Sequence, residues 1–486
     1  MTNSTLFNAN RLFPTERSQR AICRELYMQI RDIPIVSPHG HTEARWFADN
    51  ARFANPTELL ILPDHYLLRM LYSQGISMGQ LGLVAGDSTA AELDPRRIWS
   101  LFAKSYYLFA GTPSRIWLDH VFYEIFELPE AFNEHTADAF YDAIDAKLDT
   151  DAFRPRALMD RFDIQLIATT EGALNPLTHH RALSSSAFER RVITTFRPDD
   201  VIDPSTPQFA QNLDMLSELT GFKTASWSGY LNALRARRDY FKRFGRATAT
   251  DHGHHSALTA DLPAQECQRL LDRCLSGQAD AYDQEQFRAQ MLTEMAGMSL
   301  DDGLVMQLHP GVFRNHNAAL FERFGADKGA DIPIPINYTE ALRPLLTRFG
   351  NEPEFRLILF TLDETTYARE LAPLAGHYPC LRLGPPWWFN DSPQGMMRFR
   401  DQVTETAGFY NTVGFNDDTR AFLSIPARHD VARRMDCHYL SGLVAEHRMT
   451  MDEALRVAVD LSYNLAVDAY KLPLSKHRLE RKEGYD

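Results

Sequence analysis

The chain has 486 residues, of which 44% are hydrophobic and 24% are charged, and these values are ordinary for a folded globular protein. Its formal net charge of −13 argues against a broad basic surface for nucleic acid, but a cleft lined by arginines could still bind a small anion. The five cysteines are scattered and form no Cys-x-x-Cys pair, so we expect reduced thiols in a cytoplasmic protein.

Neither a secretion signal nor a membrane anchor is expected. Residues 1–20 lack the continuous apolar region of a signal peptide. No apolar run approaches the roughly 20 residues that a membrane-spanning helix needs.

Eight short strands are predicted, and helical stretches separate most of them. In chain order they cover residues 33–38, 164–170, 192–196, 247–251, 304–309, 355–361, 380–383 and 410–415. Strands that alternate with helices indicate βαβ units and a parallel sheet. Eight such units predict an α/β protein with a (β/α)8 TIM-like barrel, whose functional site lies at the carboxyl ends of the strands.

The uneven strand spacing predicts four regions. Residues 1–38 form an N-terminal helix and the first strand, and residues 39–162 form a mostly helical, aromatic-rich insertion at the barrel mouth, between strands 1 and 2. Residues 163–450 form the remainder of the barrel, with a second helical insertion near residues 263–300. Residues 451–486 form a C-terminal amphipathic helix and a charged tail.

His39-Gly40-His41 follows the first predicted strand. Side chains two positions apart on a strand face the same side, so two imidazoles here can bind one metal ion and leave other coordination positions for water or substrate. Asp418 follows the eighth predicted strand, and Arg420 lies two residues further on. The alternative is that both histidines only pack in the core or at the surface and that Asp418 only caps a turn.

Several matched segments together resemble the uronate (glucuronate) isomerases, a divergent branch of the amidohydrolase superfamily. The segments are His39-Gly40-His41, Asp64-His65-Tyr66, Phe196-Arg197-Pro198-Asp199, Gln307-Leu308-His309, Arg314-Asn315, Trp387-Trp388-Phe389-Asn390-Asp391, Asp418-Thr419-Arg420, Phe422-Leu423-Ser424 and Arg428-His429. The chain departs from the family pattern at Gly40, where Cys is common, and at His316, where a second Asn is frequent.

The resemblance implies an aldose–ketose isomerase that converts D-glucuronate to D-fructuronate and D-galacturonate to D-tagaturonate. Such chemistry moves a proton between C2 and C1 through an enediol, and it needs a base, an electrophile at the carbonyl oxygen and a clamp for the C6 carboxylate. The substrate is thus a small anionic sugar acid. The sequence leaves the oligomeric state open, and a homo-oligomer is one option because large barrels often associate.

The resemblance also assigns residue roles. Asp418 would carry the proton and, with His39 and His41, would bind one divalent metal ion, for which Zn2+ is the first choice. Arg420 would orient Asp418, and Tyr66 would hydrogen-bond a substrate oxygen.

Four further residues are expected around the substrate. His309 would contact substrate oxygens, and Trp387 would form a wall of the pocket. Arg197 and Arg314 would bind the substrate carboxylate, because a guanidinium matches a carboxylate bidentately; a loop ion pair is the alternative for Arg314.

The cluster at residues 251–255 is treated separately. Asp251 and His252 match a family motif at the fourth strand and are candidates for support behind the metal site. His254 and His255 are expected in a loop.

Two other functions stay open. A zinc hydrolase of the parent superfamily would have to be mononuclear, because residues 247–252 contain no Lys and residues 355–361 contain no His. A sugar-acid-binding protein without catalysis would not need Asp418, His39 and Arg420 together.

Overall fold

A computed structural model describes residues 7–85, 94–206 and 208–478. Within these ranges the chain forms 22 α-helices, numbered here in chain order. They are α1 Arg17–Ile30, α2 Ala44–Asp49, α3 Pro56–Leu60, α4 His65–Ser73, α5 Pro95–Lys104, α6 Pro113–His120, α7 Ala137–Leu148, α8 Pro155–Arg161, α9 Thr178–Leu183, α10 Asp199–Ile202, α11 Phe209–Thr220, α12 Trp227–Gly245, α13 Ala264–Leu275, α14 Ala281–Asp302, α15 Ala318–Phe324, α16 Tyr338–Ala341, α17 Arg343–Phe349, α18 Ala372–His377, α19 Pro393–Ala407, α20 Ile425–Ala445, α21 Met451–Val459 and α22 Leu465–Ala469.

Nine strands accompany these helices in the described ranges. They are β1 Ile35–Ser37, β2 Ile164–Gly172, β3 Val192–Arg197, β4 Ala249–His252, β5 Val305–Leu308, β6 Val312–Phe313, β7 Ile332–Pro333, β8 Leu357–Leu359 and β9 Leu381–Leu383. Seven of them pair in parallel in the order β1-β2-β3-β4-β5-β8-β9, while β6 and β7 form a separate antiparallel ribbon. This sheet confirms the predicted α/β class and seven of the eight predicted strands.

The eighth predicted strand, residues 410–415, does not form a regular strand. Its one described bridge joins Thr412 to Leu383 of β9. Gly414 has φ +74°, which interrupts the extended conformation, and a Cβ there would lie 2.6 Å from the Leu461 carbonyl oxygen. The chain then reaches the loop that follows β1, where His41 N–H donates to the Thr419 carbonyl oxygen at 3.0 Å. The segment therefore closes the cylinder without an eighth ladder.

Both faces of the parallel sheet are buried. Val36, Ile193 and Val305 point into the cylinder and belong to the same core cluster as residues of the C-terminal helices. Neighbouring residues such as Met306 and Leu357 point to the other face and pack in the large core that includes the outer helices. Burial on both faces is typical of parallel sheets and holds the strand ends rigidly.

The helices α2–α8 lie between β1 and β2, as the fold prediction expected. Their core is aromatic and centres on Trp99, which is fully buried and donates its indole N–H to the Ala137 carbonyl oxygen at 2.9 Å. Helix α4 begins at His65 and is capped by Asp64, whose Oδ1 accepts the backbone N–H of Tyr66 at 2.8 Å. This cap fixes the turn that carries Tyr66.

The other helical predictions map onto described elements. Helices α13 and α14 cover the segment predicted near residues 263–300, and α14 leads directly into β5. The C-terminal helix is divided into α21, a wider π-helical turn at Asp460–Asn464, and α22. Residues 479–486 lie outside the described residues, and the four-region division stays a prediction. Among the described helices, none combines the length and the apolar character that a bilayer crossing requires.

Candidate functional site

A cavity of about 340 Å³ opens where the parallel strands end. All nine residues predicted for catalysis, substrate binding or metal ligation line it. They are His39, His41, Tyr66, Arg197, His309, Arg314, Trp387, Asp418 and Arg420. Residues from strand ends in distant parts of the sequence therefore share one site, as is usual in barrels.

The centre of the cavity is a cluster of imidazoles around Asp418. Oδ1 of Asp418 lies 3.2 Å from Nε2 of His41 and 3.6 Å from Nε2 of His39. His309 stacks on His39 with a ring-centroid distance of 5.0 Å. One donor atom from each of His39, His309 and Asp418 lies within 4.8 Å of the others. This group contains His309 where the sequence predicted His41, while His41 lies against Asp418 on the side of its Oδ1.

This cluster has the donor set for a divalent cation. Oδ1 of Asp418 and Nε2 of His309 are buried and have no hydrogen-bond partner among the described residues. Buried polar atoms without partners are costly unless a solvent molecule or an ion completes them. Imidazole nitrogen and carboxylate oxygen are ligands that Zn2+ prefers, so the residues present fit the predicted metal.

Asp251 supports the cluster from behind. Its Oδ1 lies 2.7 Å from Nδ1 of His309, and its Oδ2 lies 3.3 Å from Nη1 of Arg197. Because Nδ1 of His309 donates to this carboxylate, the lone pair of the neutral ring is on Nε2, which faces the cluster. The expected supporting role of Asp251 thus has a physical basis, and the same carboxylate connects His309 with Arg197.

Burial and neighbouring charges shift the pKa values at this centre in opposite directions. Burial lowers the pKa of His39 to about 4, and the nearby Asp418 and Asp251 offset only part of that effect. Burial alone would raise the pKa of Asp418, but the adjacent His39 and His41 outweigh burial and hold it below its ordinary value. The centre therefore combines a neutral imidazole with an ionised carboxylate.

The backbone is strained where Asp418 enters the cavity. Asp418 has φ +35°, and three other non-glycine cavity residues, Trp388, Asn315 and Asp327, have φ +53°, +54° and +62°. Non-glycine residues adopt such values at a cost, and they persist at functional sites where the surrounding structure enforces them. The turn aims the Asp418 side chain at the two histidines.

Arg197 is held by two carboxylates. Besides Asp251, its Nε donates to Oδ2 of Asp199 at 2.9 Å. Gly253 packs against this pair, and a Cβ there would lie 2.3 Å from Nη2 of Arg197, so a larger residue would displace the guanidinium from its carboxylates. These contacts fix the guanidinium at the cavity wall.

Two arginines have partners that the sequence did not indicate. Arg420 forms an ion pair with Asp327 at 3.0 Å, and its described contacts do not include Asp418. The expected orientation of Asp418 by Arg420 is therefore not found; the two histidines lie against Asp418 instead. Arg314 pairs with Asp331 at 2.9 Å and lies over the ring of Trp388, which matches the loop ion pair kept as its alternative.

Sequence analysis assigned no role to Arg428, which is 2% exposed and lines the cavity. It pairs with Asp391, lies 3.5 Å from the ring centroid of Trp117, and also covers Tyr66. Arg428 begins the matched segment Arg428-His429 on the first turn of α20, and that match was the available signal. Its cation stiffens the wall behind Tyr66.

Gln307 was also given no role. Its Nε2 lies 3.4 Å from Nδ1 of His39, and its Oε1 accepts the hydroxyl of Tyr470 at 3.0 Å. It lies in β5 and opens the matched segment Gln307-Leu308-His309, but nothing in its spacing indicated a contact with His39. In the fold it fixes the ring of His39 from the barrel interior.

Potential metal ligands and arginines meet at the carboxyl ends of the strands, which is where barrel enzymes have their active sites. The fold and the site together therefore indicate a barrel enzyme. The profile of the glucuronate isomerase family matches residues 15–470. A uronate isomerase of Xanthomonas campestris pv. campestris (strain B100) is 59% identical over 472 residues, which cover 97% of this chain and 100% of the relative.

Solved structures agree with this match. The crystal structure of glucuronate isomerase from Caulobacter crescentus has a TM-score of 0.94 and 56% identity, and the match covers 96% of this chain and 98% of that one. A uronate isomerase from Thermotoga maritima, at 24% identity, has a TM-score of 0.88 over 96% of this chain and 99% of that chain, and it supports the fold alone. The chain therefore belongs to the glucuronate isomerase family, whose members are aldose–ketose isomerases. The isomerase prediction is thereby favoured over the hydrolase alternative.

Proposed function

We propose that this chain interconverts D-glucuronate with D-fructuronate, and D-galacturonate with D-tagaturonate, in the cytoplasm. The observation that carries the proposal is the meeting of Asp418, His39 and His41 with Arg197 in one cavity. Five free cysteines agree with a reducing compartment.

Asp418 moves the proton between the two carbon atoms. Its Oδ1 faces the histidines, and within the described residues its Oδ2 makes no hydrogen bond, so this second oxygen can take the proton from C2 and return it to C1. A carboxylate held in place by its neighbours needs no reorganisation between the two transfers.

The oxygen atoms O1 and O2 exchange a second proton, so that the hydroxyl and the carbonyl change places. Tyr66 lines the cavity, and burial raises its pKa, which keeps its hydroxyl protonated as a donor. His39, His309 and Asp418 would hold the divalent ion, and His41, which lies against Asp418, is the further ligand that the sequence predicted. When bound, such an ion polarises the oxygen of a carbonyl and stabilises the enediolate.

Arg197 binds the substrate carboxylate. The carboxylates of Asp199 and Asp251 orient its guanidinium and raise its pKa in spite of burial, so it stays charged. Arg314 adds positive charge on the same wall, and Trp387, which packs edge-on against His309 at 4.8 Å, limits the width of the pocket. An anionic sugar of about 13 heavy atoms suits a cavity of this class.

The test uses the purified protein in D2O with D-glucuronate and, separately, D-galacturonate. Proton NMR should show formation of the ketose, with deuterium entering at C2 of the recovered aldose wherever the carried proton exchanges with solvent. Parallel incubations with amide and lactone substrates should give no hydrolysis. Failure to form ketose from either uronate, together with hydrolysis of an amide or lactone, would contradict the proposal.

A further inference from the structure

A second group of potential metal ligands lies outside the cavity. Asp199 follows β3, His252 ends β4, and His254 comes two residues later. One donor atom from each lies within 4.8 Å of the other two. His252 and His254 are buried, with exposed fractions of 0% and 2%, and none of the three residues lines the cavity.

The donor atoms of this group are unsatisfied. Oδ1 of Asp199, Nδ1 of His252 and both ring nitrogens of His254 are buried and have no hydrogen-bond partner among the described residues. The 4.0 Å between Oδ1 of Asp199 and Nε2 of His254 is too long for a hydrogen bond. Two tetrahedral ligands bound about 2.1 Å from one ion lie roughly 3.4 Å apart, so an ion would draw this pair closer by about half an ångström.

The surrounding charge favours a cation. Asp199, Asp203 and Glu285 act electrostatically on His254, and Arg288 is the opposing cation among its main described influences. Arg288 is already paired with Asp203 at 3.0 Å and with Glu285 at 2.5 Å. Arg197 is the cation paired with Asp199, and it is shared with Asp251. Four carboxylates therefore share two arginines here, which leaves an excess of negative charge.

We propose that Asp199, His252 and His254 form a second, structural binding site for a divalent metal ion, with Zn2+ as the ion best matched to two imidazoles and a carboxylate. The free oxygen of Asp199 faces this site, while its other oxygen accepts the N–H groups of Arg197 and Gly253. An ion here fixes Asp199 and, through Asp199, the guanidinium that faces the cavity. Its role is positioning and not catalysis.

Metal content tests the second site directly. Protein produced with added Zn2+ should contain two equivalents per chain by elemental analysis. His254→Ala should contain one equivalent. His255→Ala is the matched control, because His255 is the neighbouring exposed histidine, and it should keep two.

A second experiment tests the proposal without relying on the His254→Ala variant alone. His41→Ala, designed to empty the cavity site, should retain one equivalent, and His41→Ala with His254→Ala should retain none. Crystals of the wild-type protein should give an anomalous peak at the zinc edge among Asp199, His252 and His254. The proposal is overturned if this position has no anomalous peak, or if a folded His254→Ala variant binds as much Zn2+ as the wild-type protein.

Discussion

The two walls of the cavity are built differently. The barrel wall presents His39, His309 and Asp418 from backbone that parallel strands and their closing segment hold in place. The opposite wall presents Tyr66 from α4 of the inserted helices, where packing against Trp117 at a ring distance of 5.8 Å positions the side chain. Rigid strand ends suit the bond-making groups, while an inserted wall can shape the substrate pocket without altering the chemistry.

This difference between the walls predicts that the largest loss of activity follows substitution of Asp418. Asp418→Asn should lower kcat by about 10³- to 10⁴-fold, because an amide cannot carry the proton. Asn tolerates positive φ, so the strained backbone at φ +35° is retained. Steady-state kinetics with D-glucuronate, with circular dichroism as the control for folding, measures the effect. Activity within tenfold of wild type would rule out Asp418 as the proton carrier.

A smaller loss is expected at the carboxylate clamp on the barrel wall. Arg197→Met should raise KM for uronates by about 10- to 150-fold, the equivalent of about 1.5–3 kcal/mol for charged hydrogen bonds, with a lesser change in kcat. The variant also leaves the buried Asp251 without its cation, so its melting temperature should fall.

Arg314→Met is the matched control for that clamp. Arg314 lies on the same cavity but is paired with Asp331 and is partly exposed. Its KM change should therefore be smaller than that of Arg197→Met. A larger KM change for Arg314→Met would move the main carboxylate contact to Arg314.

Nε2 of His309 can either bind the cavity metal ion or contact the substrate. Only Nε2 is available, since Nδ1 lies against Asp251, so metal ligation and substrate contact compete for one atom. If His309 contacts substrate oxygens, as the sequence predicted, His309→Ala should keep the cavity metal and lose about tenfold or more in kcat/KM. Elemental analysis of the variant, compared with His41→Ala, tests this. Loss of the cavity metal in His309→Ala would make it a ligand instead.

The wall formed by the inserted helices should contribute less to catalysis than the barrel wall. Tyr66→Phe removes one hydroxyl and should reduce kcat/KM by about 2- to 13-fold, the value of a single hydrogen bond. The ring and its packing against Trp117 are preserved, so the melting temperature should stay unchanged. A loss as large as that of Asp418→Asn would mean that the inserted helices supply chemistry and not only shape.

Part of the cavity was predictable because several of its residues follow short apolar runs, whereas Tyr66 on α4 was assigned only by the family resemblance. His39 and His41 come shortly after a β-branched run, and β1 forms at that run. The strand-end rule then placed distant segments such as Arg197 and His309 in one site. The eighth strand was not predictable in the same way, because Gly414 and the turn at Asp418 replace a ladder with single hydrogen bonds.

The sequence could not predict which side chains pair with each other when the partners come from distant segments. Proximity in sequence suggested that Arg420 orients Asp418, but the positive φ of Asp418 turns the chain, and Arg420 reaches Asp327. His254 was expected in a loop, and it does lie there. Its burial against Asp199, which comes from a different strand end, has no local sequence signal.

Arg420 is expected to give the smallest effect of the series. Its ion pair with Asp327 is roughly half exposed, with side-chain exposures of 43% and 46%, so Arg420→Met should change the free energy of unfolding by less than about 1 kcal/mol. Because Arg420 does not contact Asp418, kcat/KM should fall by less than about tenfold, through the loss of one positive charge at the cavity wall. Denaturant unfolding and kinetics at two ionic strengths measure both quantities. A loss in kcat approaching that of Asp418→Asn, insensitive to salt, would restore the orienting role of Arg420 and place both groups in one catalytic unit on the barrel wall.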